Sequence, residues 1–148
     1  MSHINKMHLE VPALSINESF IRGVVGAFCV SINPTIEQIN DIKTAVSEAV
    51  TNCVVHGYKS LKGNIFVDAT LFDNQVEIII EDFGIGIEDV NKAMQPFFTT
   101  KPDEERSGMG FTVMQAFMDK VEISSQIGKG TKISMTKYFA KKDDTFDA

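Results

Sequence analysis

The sequence predicts an α+β fold, a two-layer sandwich with helices packed on one face of a mixed, largely antiparallel sheet. Runs with helical periodicity gather in the first half of the chain. The β-rich runs come as adjacent pairs in the middle and at the end, each pair joined by a short polar or glycine-rich turn. A doubly wound parallel sheet would need strands and helices to alternate throughout, and they do not.

Met7 to Val11 reads as a short strand, and Ser15-Ile16-Asn17-Glu18 has the form of a capping box opening a helix to about Val30. Asn33-Pro34 signals a second, longer helix from about Thr35 to Val55. Along it Ile39, Ile42, Val46, Ala49, Val50 and Cys53 recur at helical spacing as one apolar stripe. Asn64 to Phe72 and Val76 to Asp82 form a predicted hairpin around Asp73-Asn74-Gln75. A helical start at Ile87 to Met94 follows, then a helix over Phe111 to Met118. Val121 to Ile127 and Thr131 to Phe139 make a second hairpin around Gly128-Lys129-Gly130. Residues 1–140 are expected to form one domain and residues 141–148, KKDDTFDA, a loose tail.

A chain of 148 residues can bury a core without staples. Its 43% hydrophobic and 23% charged residues are ordinary for a soluble protein. The net charge of −6 argues against nonspecific binding of nucleic acid or acidic membranes. No apolar run nears the roughly 20 residues that span a bilayer, and no signal-peptide pattern opens the chain. Cys29 and Cys53 fall on core stripes without metal or CxxC spacing, which reads as buried reduced thiols in a cytoplasmic protein.

Four short stretches depart from this background. Glu48 and Asn52 stand one helical turn apart, about 40° around the axis, on nearly the opposite side from the apolar stripe. Asp82-Phe83-Gly84-Ile85-Gly86 follows a strand, with a carboxylate acceptor at the strand end and glycines that let backbone approach a flat ligand. Ser107-Gly108-Met109-Gly110-Phe111 feeds a helix N-terminus, where unpaired N–H groups and the helix dipole suit phosphates. Gly128-Lys129-Gly130-Thr131 is the fourth. Taken singly, each has a plainer reading: a solvated helix face, strand-to-loop punctuation, a flexible helix entry and a hairpin turn. The commoner phosphate signatures GxxxxGK[ST] and GxGxxG are absent, as is the HRD/DFG set.

In this order, over about residues 36 to 135, the four stretches resemble the GHKL (Bergerat-fold) ATPase superfamily, which includes gyrase, MutL and the histidine kinases. EAVTNCVVHGY and QPFFTTKPDEERSGMGF look more closely like its small stand-alone serine kinases that act as anti-sigma factors in spore-forming bacteria. The resemblance implies ATP/ADP and Mg²⁺ as cofactors. It implies Asn52 as the metal ligand, Glu48 as the general base toward a substrate hydroxyl, and Asp82 as acceptor of the adenine amino group. Gly84 and Gly86 would admit the ring, with Thr131 behind it. Ser107, Gly108, Met109, Gly110 and Phe111 would wrap the phosphates; Phe111 stands where relatives often carry Leu.

The segment between Gly86 and Gly108 reads as a lid. Thr99 and Thr100 are candidate phosphate donors. Arg106 is the catalytic cation candidate and Lys101 a nucleotide-binding one, and spacing does not decide which neutralises the transferring group. His56, beside the helix end at Gly57, is a further nucleotide-binding candidate or else a C-terminal capping charge. The implied function is sequestration of a sporulation sigma factor together with phosphorylation of a Ser on a small anti-anti-sigma protein. The implied assembly is a homodimer without direct nucleic-acid or membrane contact. Two other readings are a nucleotide-dependent binding protein with vestigial catalysis and a histidine-kinase catalytic domain. Glu48 weighs against the first, since binding alone needs no base. No helical hairpin bearing a phosphoacceptor His precedes the motifs, which weighs against the second.

Overall fold

The computed structural model describes residues 3–59, 61–94 and 110–139. Among the described residues five strands form one sheet: β1 (Asn5–Pro12), β2 (Asn64–Leu71), β3 (Gln75–Asp82), β4 (Lys120–Gln126) and β5 (Gly130–Tyr138). Their order is β1-β2-β3-β5-β4, antiparallel at every described pairing. Four α-helices accompany them among the described residues: α1 (Asn17–Cys29), α2 (Ile36–Thr51), α3 (Val90–Ala93) and α4 (Phe111–Phe117). The two-layer α+β sandwich predicted from the hairpins is the observed architecture.

Period-two alternation makes the sheet two-faced. Toward the helices β2 buries Ile65, Val67, Ala69 and Leu71, and β3 buries Val76, Ile78 and Ile80. From the helical layer Ile21, Val25 and Cys29 of α1 and Ile42, Ala45, Val46, Ala49 and Val50 of α2 complete the same core. Each Val, Ile or Leu among them contributes about 1.5–3 kcal/mol by leaving water. The inward rows end in polar residues at one end of the sheet. Asp82 is the last inward position of β3, Thr131 is its cross-strand partner on β5, and Ser125 is the partner of Thr131 on β4. The pleat alone therefore drives a carboxylate and two hydroxyls to the buried face.

Helix α2 starts one residue later than its Asn33-Pro34 signal, at a capping box on Thr35. The Thr35 hydroxyl accepts from Gln38 N–H at 3.0 Å, and the Gln38 side chain accepts from Thr35 N–H at 2.8 Å. Such a cap is worth about 1 kcal/mol. The capping box predicted at Ser15 does not form, since α1 has no side-chain N-cap bond. Glu18 faces α2 instead, where its carboxylate pairs with Arg22 at 3.0 Å and accepts from the Ser47 hydroxyl. That link ties α1 to α2. Lys137 of β5 ties the other side, donating to Asp41 at 3.1 Å and to the Phe117 carbonyl at 2.6 Å.

The predicted helix to Val55 changes form before it ends. α2 stops at Thr51, and Asn52–Gly57 winds as a π turn closed by Tyr58 N–H to Cys53 carbonyl at 2.9 Å. Such widened turns are rare and occur mostly at functional sites. The two thiols are buried and reduced. Burial pushes Cys29 up to about 12, far from the thiolate form that reacts. Among the described residues, no helix is long and apolar enough to cross a membrane.

Candidate functional site

The polar end of the sheet meets the π turn. Asp82 is 3% exposed, and its carboxylate accepts from Gly84 N–H at 2.9 Å, from the Thr131 main chain and from the Cys53 thiol. Burial raises Asp82 above its ordinary range despite these donors, and burial followed by the carboxylate raises Cys53. Behind it, Ser125 Oγ accepts from Ile87 N–H at 2.7 Å and donates to the Gly130 carbonyl at 2.9 Å. The Thr131 hydroxyl lies 2.9 Å from Ser125 Oγ. With those two partners assigned, Thr131 is the donor in this third bond, and the Ser125 hydroxyl is fully satisfied.

Backbone closes against backbone around this group. Gly57 C=O accepts from Ile85 N–H at 2.9 Å, and Ile85 C=O accepts from Gly128 N–H at 2.8 Å. Gly86 has φ +81° and lies against the Gln126 carbonyl, so a side chain there meets both a strained backbone and a blocked space. Tyr58 pins the turn after β3. Its hydroxyl accepts from Phe83 N–H at 2.8 Å and donates to the Asn64 carbonyl at 2.7 Å.

The second half of the site lies along α2. Asn52 is 6% exposed, and its Nδ2 has no hydrogen-bond partner among the described residues. A buried amide N–H without an acceptor is costly, and it is the nitrogen, a donor, that is left unpaired here. Glu48 lies one turn earlier, against Gly110, where a Cβ would strike its carboxylate. Gly110 takes φ +74° as the N-cap of α4, which glycine alone adopts without strain. The glycine entry to α4 is thereby brought onto the carboxylate predicted to be the base. A groove of about 410 Å³, lined by Arg22, Asn40, Lys43, Thr44, Ser47 and Glu48, reaches the same carboxylate from outside.

The structure thus gathers Glu48, Asn52, Asp82, Gly84, Gly86, Gly110 and Thr131 around the end of α2 and the adjoining end of the sheet. His56 sits half-buried on the π turn. Phe111 is 1% exposed and packs into the core, leaving its main chain as the part that borders the site. Thr99, Thr100, Lys101, Arg106, Ser107, Gly108 and Met109 lie outside the described residues. Cys53, Tyr58 and Ser125 were not anticipated. Ser125 had a sequence signal, a hydroxyl on the inward row of β4 where Val121 and Ile123 set an apolar pattern. Cys53 and Tyr58 had none, since their partners lie on another element.

A five-stranded sheet in the order β1-β2-β3-β5-β4, covered on one face by helices, is the fold of a Bergerat-type ATPase domain. The family described as histidine kinase-like ATPase domain matches residues 11–137, and the chain belongs to that family, the GHKL ATPases. Within it the chain is similar to the anti-sigma F factor of Caldanaerobacter subterraneus subsp. tengcongensis, 56% identical over 141 residues, covering 95% of this chain and 99% of that one. It is also similar to the anti-sigma F factor of Bacillus subtilis, 51% identical over 138 residues, covering 93% and 94%. Among solved structures, the RsbU and RsbW domains of a Mycobacterium tuberculosis protein superpose with TM-score 0.66 at 22% identity, covering 93% of this chain and 35% of that one. The catalytic domain of the histidine kinase ThkA superposes with TM-score 0.57 at 15% identity, covering 89% and 95%. These two likenesses speak to the fold alone.

Burial of Asp82 carries a pH-dependent prediction. A carboxyl that keeps its proton to higher pH when folded contributes stability that is present below the ordinary carboxylate range. That contribution is lost as pH rises through the raised native value. Asp82→Asn removes the titration. The variant is therefore expected to melt higher than wild type at pH 7, with the gap closing as the pH falls below the carboxylate range. It should also lose about 10- to 100-fold in preference for ATP over GTP, the cost of mispairing a buried polar group. Thermal melts across pH and calorimetric titration with each nucleotide read the two effects. Unaltered nucleotide choice would refute the assignment of Asp82 to adenine.

Proposed function

We propose that the protein is an anti-sigma factor and serine-protein kinase, which holds a sigma factor and phosphorylates a Ser on a small anti-anti-sigma protein. The observation that carries the kinase reading is the contact of Glu48 with Gly110, one turn from the unpaired amide of Asn52. The relatives named anti-sigma F factors, similar over nearly their whole length, support the sigma-factor reading.

The residues present fit Mg²⁺-ATP. Among the described residues no group of three or more His, Cys, Asp or Glu gathers. Mg²⁺ takes oxygen ligands and fills most of its octahedron with phosphate oxygens and water, so the Asn52 side-chain oxygen could serve as the protein's single contribution. Bound Mg²⁺-ATP supplies an electrophilic phosphoryl group whose charge the metal partly neutralises. Asn52 would hold the metal through its side-chain oxygen. Asp82 accepts from the adenine amino group, and Gly84 and Gly86 admit the ring beside the backbone. Thr131 supports it from behind through its hydroxyl. By the family resemblance, Ser107, Gly108, Met109, Gly110 and the Phe111 main chain would supply donors to the phosphates, Thr99, Thr100 and Lys101 would be further phosphate-binding candidates, and Arg106 would offset developing charge. His56 borders the same pocket.

Glu48 takes the proton from an acceptor hydroxyl delivered along the groove lined by Arg22, Asn40, Lys43 and Thr44. The resemblance that implies the kinase also implies a homodimer in the cytoplasm. Incubating the protein with labelled ATP, Mg²⁺ and the acceptor protein should place acid-stable label on a Ser. Retained nucleotide binding with no transfer would leave only a nucleotide-dependent binding protein.

A further inference from the structure

We propose that Gly57 is a positioning residue for Asp82, and that through Asp82 it sets the choice of adenine over guanine; this rests on the assignment of Asp82 to the adenine amino group. A glycine at a helix end ordinarily serves a left-handed backbone. Gly57 does not, for its φ lies outside the positive region, and Lys59, with φ 51°, takes the left-handed conformation after the turn. Its backbone would suit any residue. What excludes a side chain is the space.

A Cβ on Gly57 would lie 2.7 Å from Oδ2, 2.8 Å from Cγ and 2.9 Å from Oδ1 of Asp82. Three nearly equal distances mean that the carboxylate lies face-on to the space a Gly57 side chain would fill. Its edges then remain available to donors: Gly84 N–H, the Thr131 main chain, the Cys53 thiol and a ligand amino group. All three distances are well inside the roughly 3.5 Å at which nonbonded heavy atoms rest.

Neither side can retreat easily. The Gly57 carbonyl is bonded to Ile85 N–H at 2.9 Å, and a Cβ on Gly84 would strike that same carbonyl. Tyr58, the next residue, holds Phe83 N–H at 2.8 Å. The π turn and the strand-end turn are thus in backbone contact on both sides of the carboxylate. A methyl on residue 57 has to move the Asp82 side chain. Hydrogen bonds tolerate little of that, since a donor at 2.9 Å is already near the middle of the useful range.

The test is a double-mutant cycle read by calorimetric affinities for ATP and GTP, with melting temperatures alongside. Gly57→Ala is expected to lower the ATP-over-GTP ratio by about tenfold. Asp82→Ala should lower it at least as far, and in the double variant Gly57→Ala should add nothing, because the methyl then occupies space the carboxylate has vacated. An intact ratio in Gly57→Ala beside a lost one in Asp82→Ala overturns the inference alone, as does a Gly57→Ala effect that persists in the double variant. An intact ratio in Asp82→Ala sinks the adenine assignment and the inference with it. Should Gly57→Ala fail to fold, the double variant is expected to fold; failure of both overturns the role, for the obstruction would then not be Asp82.

Discussion

Glu48→Gln is expected to slow phosphoryl transfer by roughly 10²- to 10⁴-fold while nucleotide affinity stays nearly unchanged, the usual share of a positioned general base. Gln keeps the length and the hydrogen-bonding reach of the side chain, so the contact with Gly110 survives. Only basicity is removed. Single-turnover transfer of label to the acceptor Ser measures the rate, and calorimetry measures the affinity. A rate equal to wild type would assign the proton to another group or to water. A shorter substitution would be less informative, because it would also open space beside the glycine turn.

Asn52→Ala should act on the other half of the equilibrium. Losing outer-shell partners of a metal typically costs 10- to 100-fold in affinity or activity, and a direct ligand should cost at least as much. Affinity for Mg²⁺-ATP is therefore expected to fall at least tenfold, with the difference between titrations in Mg²⁺ and in chelator collapsing. Asn52→Asp should also weaken binding, since a charge would then face the phosphates. The nucleotide-free Ala variant should melt no lower than wild type, because it loses a buried amide whose Nδ2 has no partner among the described residues. Unchanged affinity in both variants would contradict the assigned role. A large drop in melting temperature would instead mark Asn52 as a structural residue.

The two substitutions separate because the fold separates their tasks. Glu48 stands in the last turn of α2 and Asn52 opens the π turn that continues it, yet Glu48 borders the entry to α4 and the outer groove while Asn52 is enclosed. Function here also opposes stability. The unpaired Asn52 Nδ2 and the desolvated Asp82 carboxylate both cost the folded state, which is the pattern the proposed ligand roles require.

Much of this was legible along the chain. The stripe from Ile39 to Cys53 and the two hairpins obey the 3.6 and 2.0 periods that any buried face imposes. Asp82 was legible twice, as a strand-end acceptor before two glycines and as the next inward position after Ile78 and Ile80. The Ser15 capping box was misleading because a capping side chain is free only if nothing stronger recruits it. Glu18, its intended partner, is taken by Arg22 and by Ser47 on another helix. The π turn could not be read, since it differs from an α-helix by a shift of one hydrogen-bond partner.

The sequence by itself determined the layers, the two hairpins, the helix carrying Glu48, and the chemical types at each motif, because periodicity and turn chemistry are local. Only the tertiary structure decided that Cys53 and Gly57 press on Asp82, that Gly110 rests on Glu48 and that Tyr58 spans Phe83 and Asn64. Those contacts join elements far apart in the chain. Spacing cannot encode them; they follow from how closely two backbones approach once a side chain is missing.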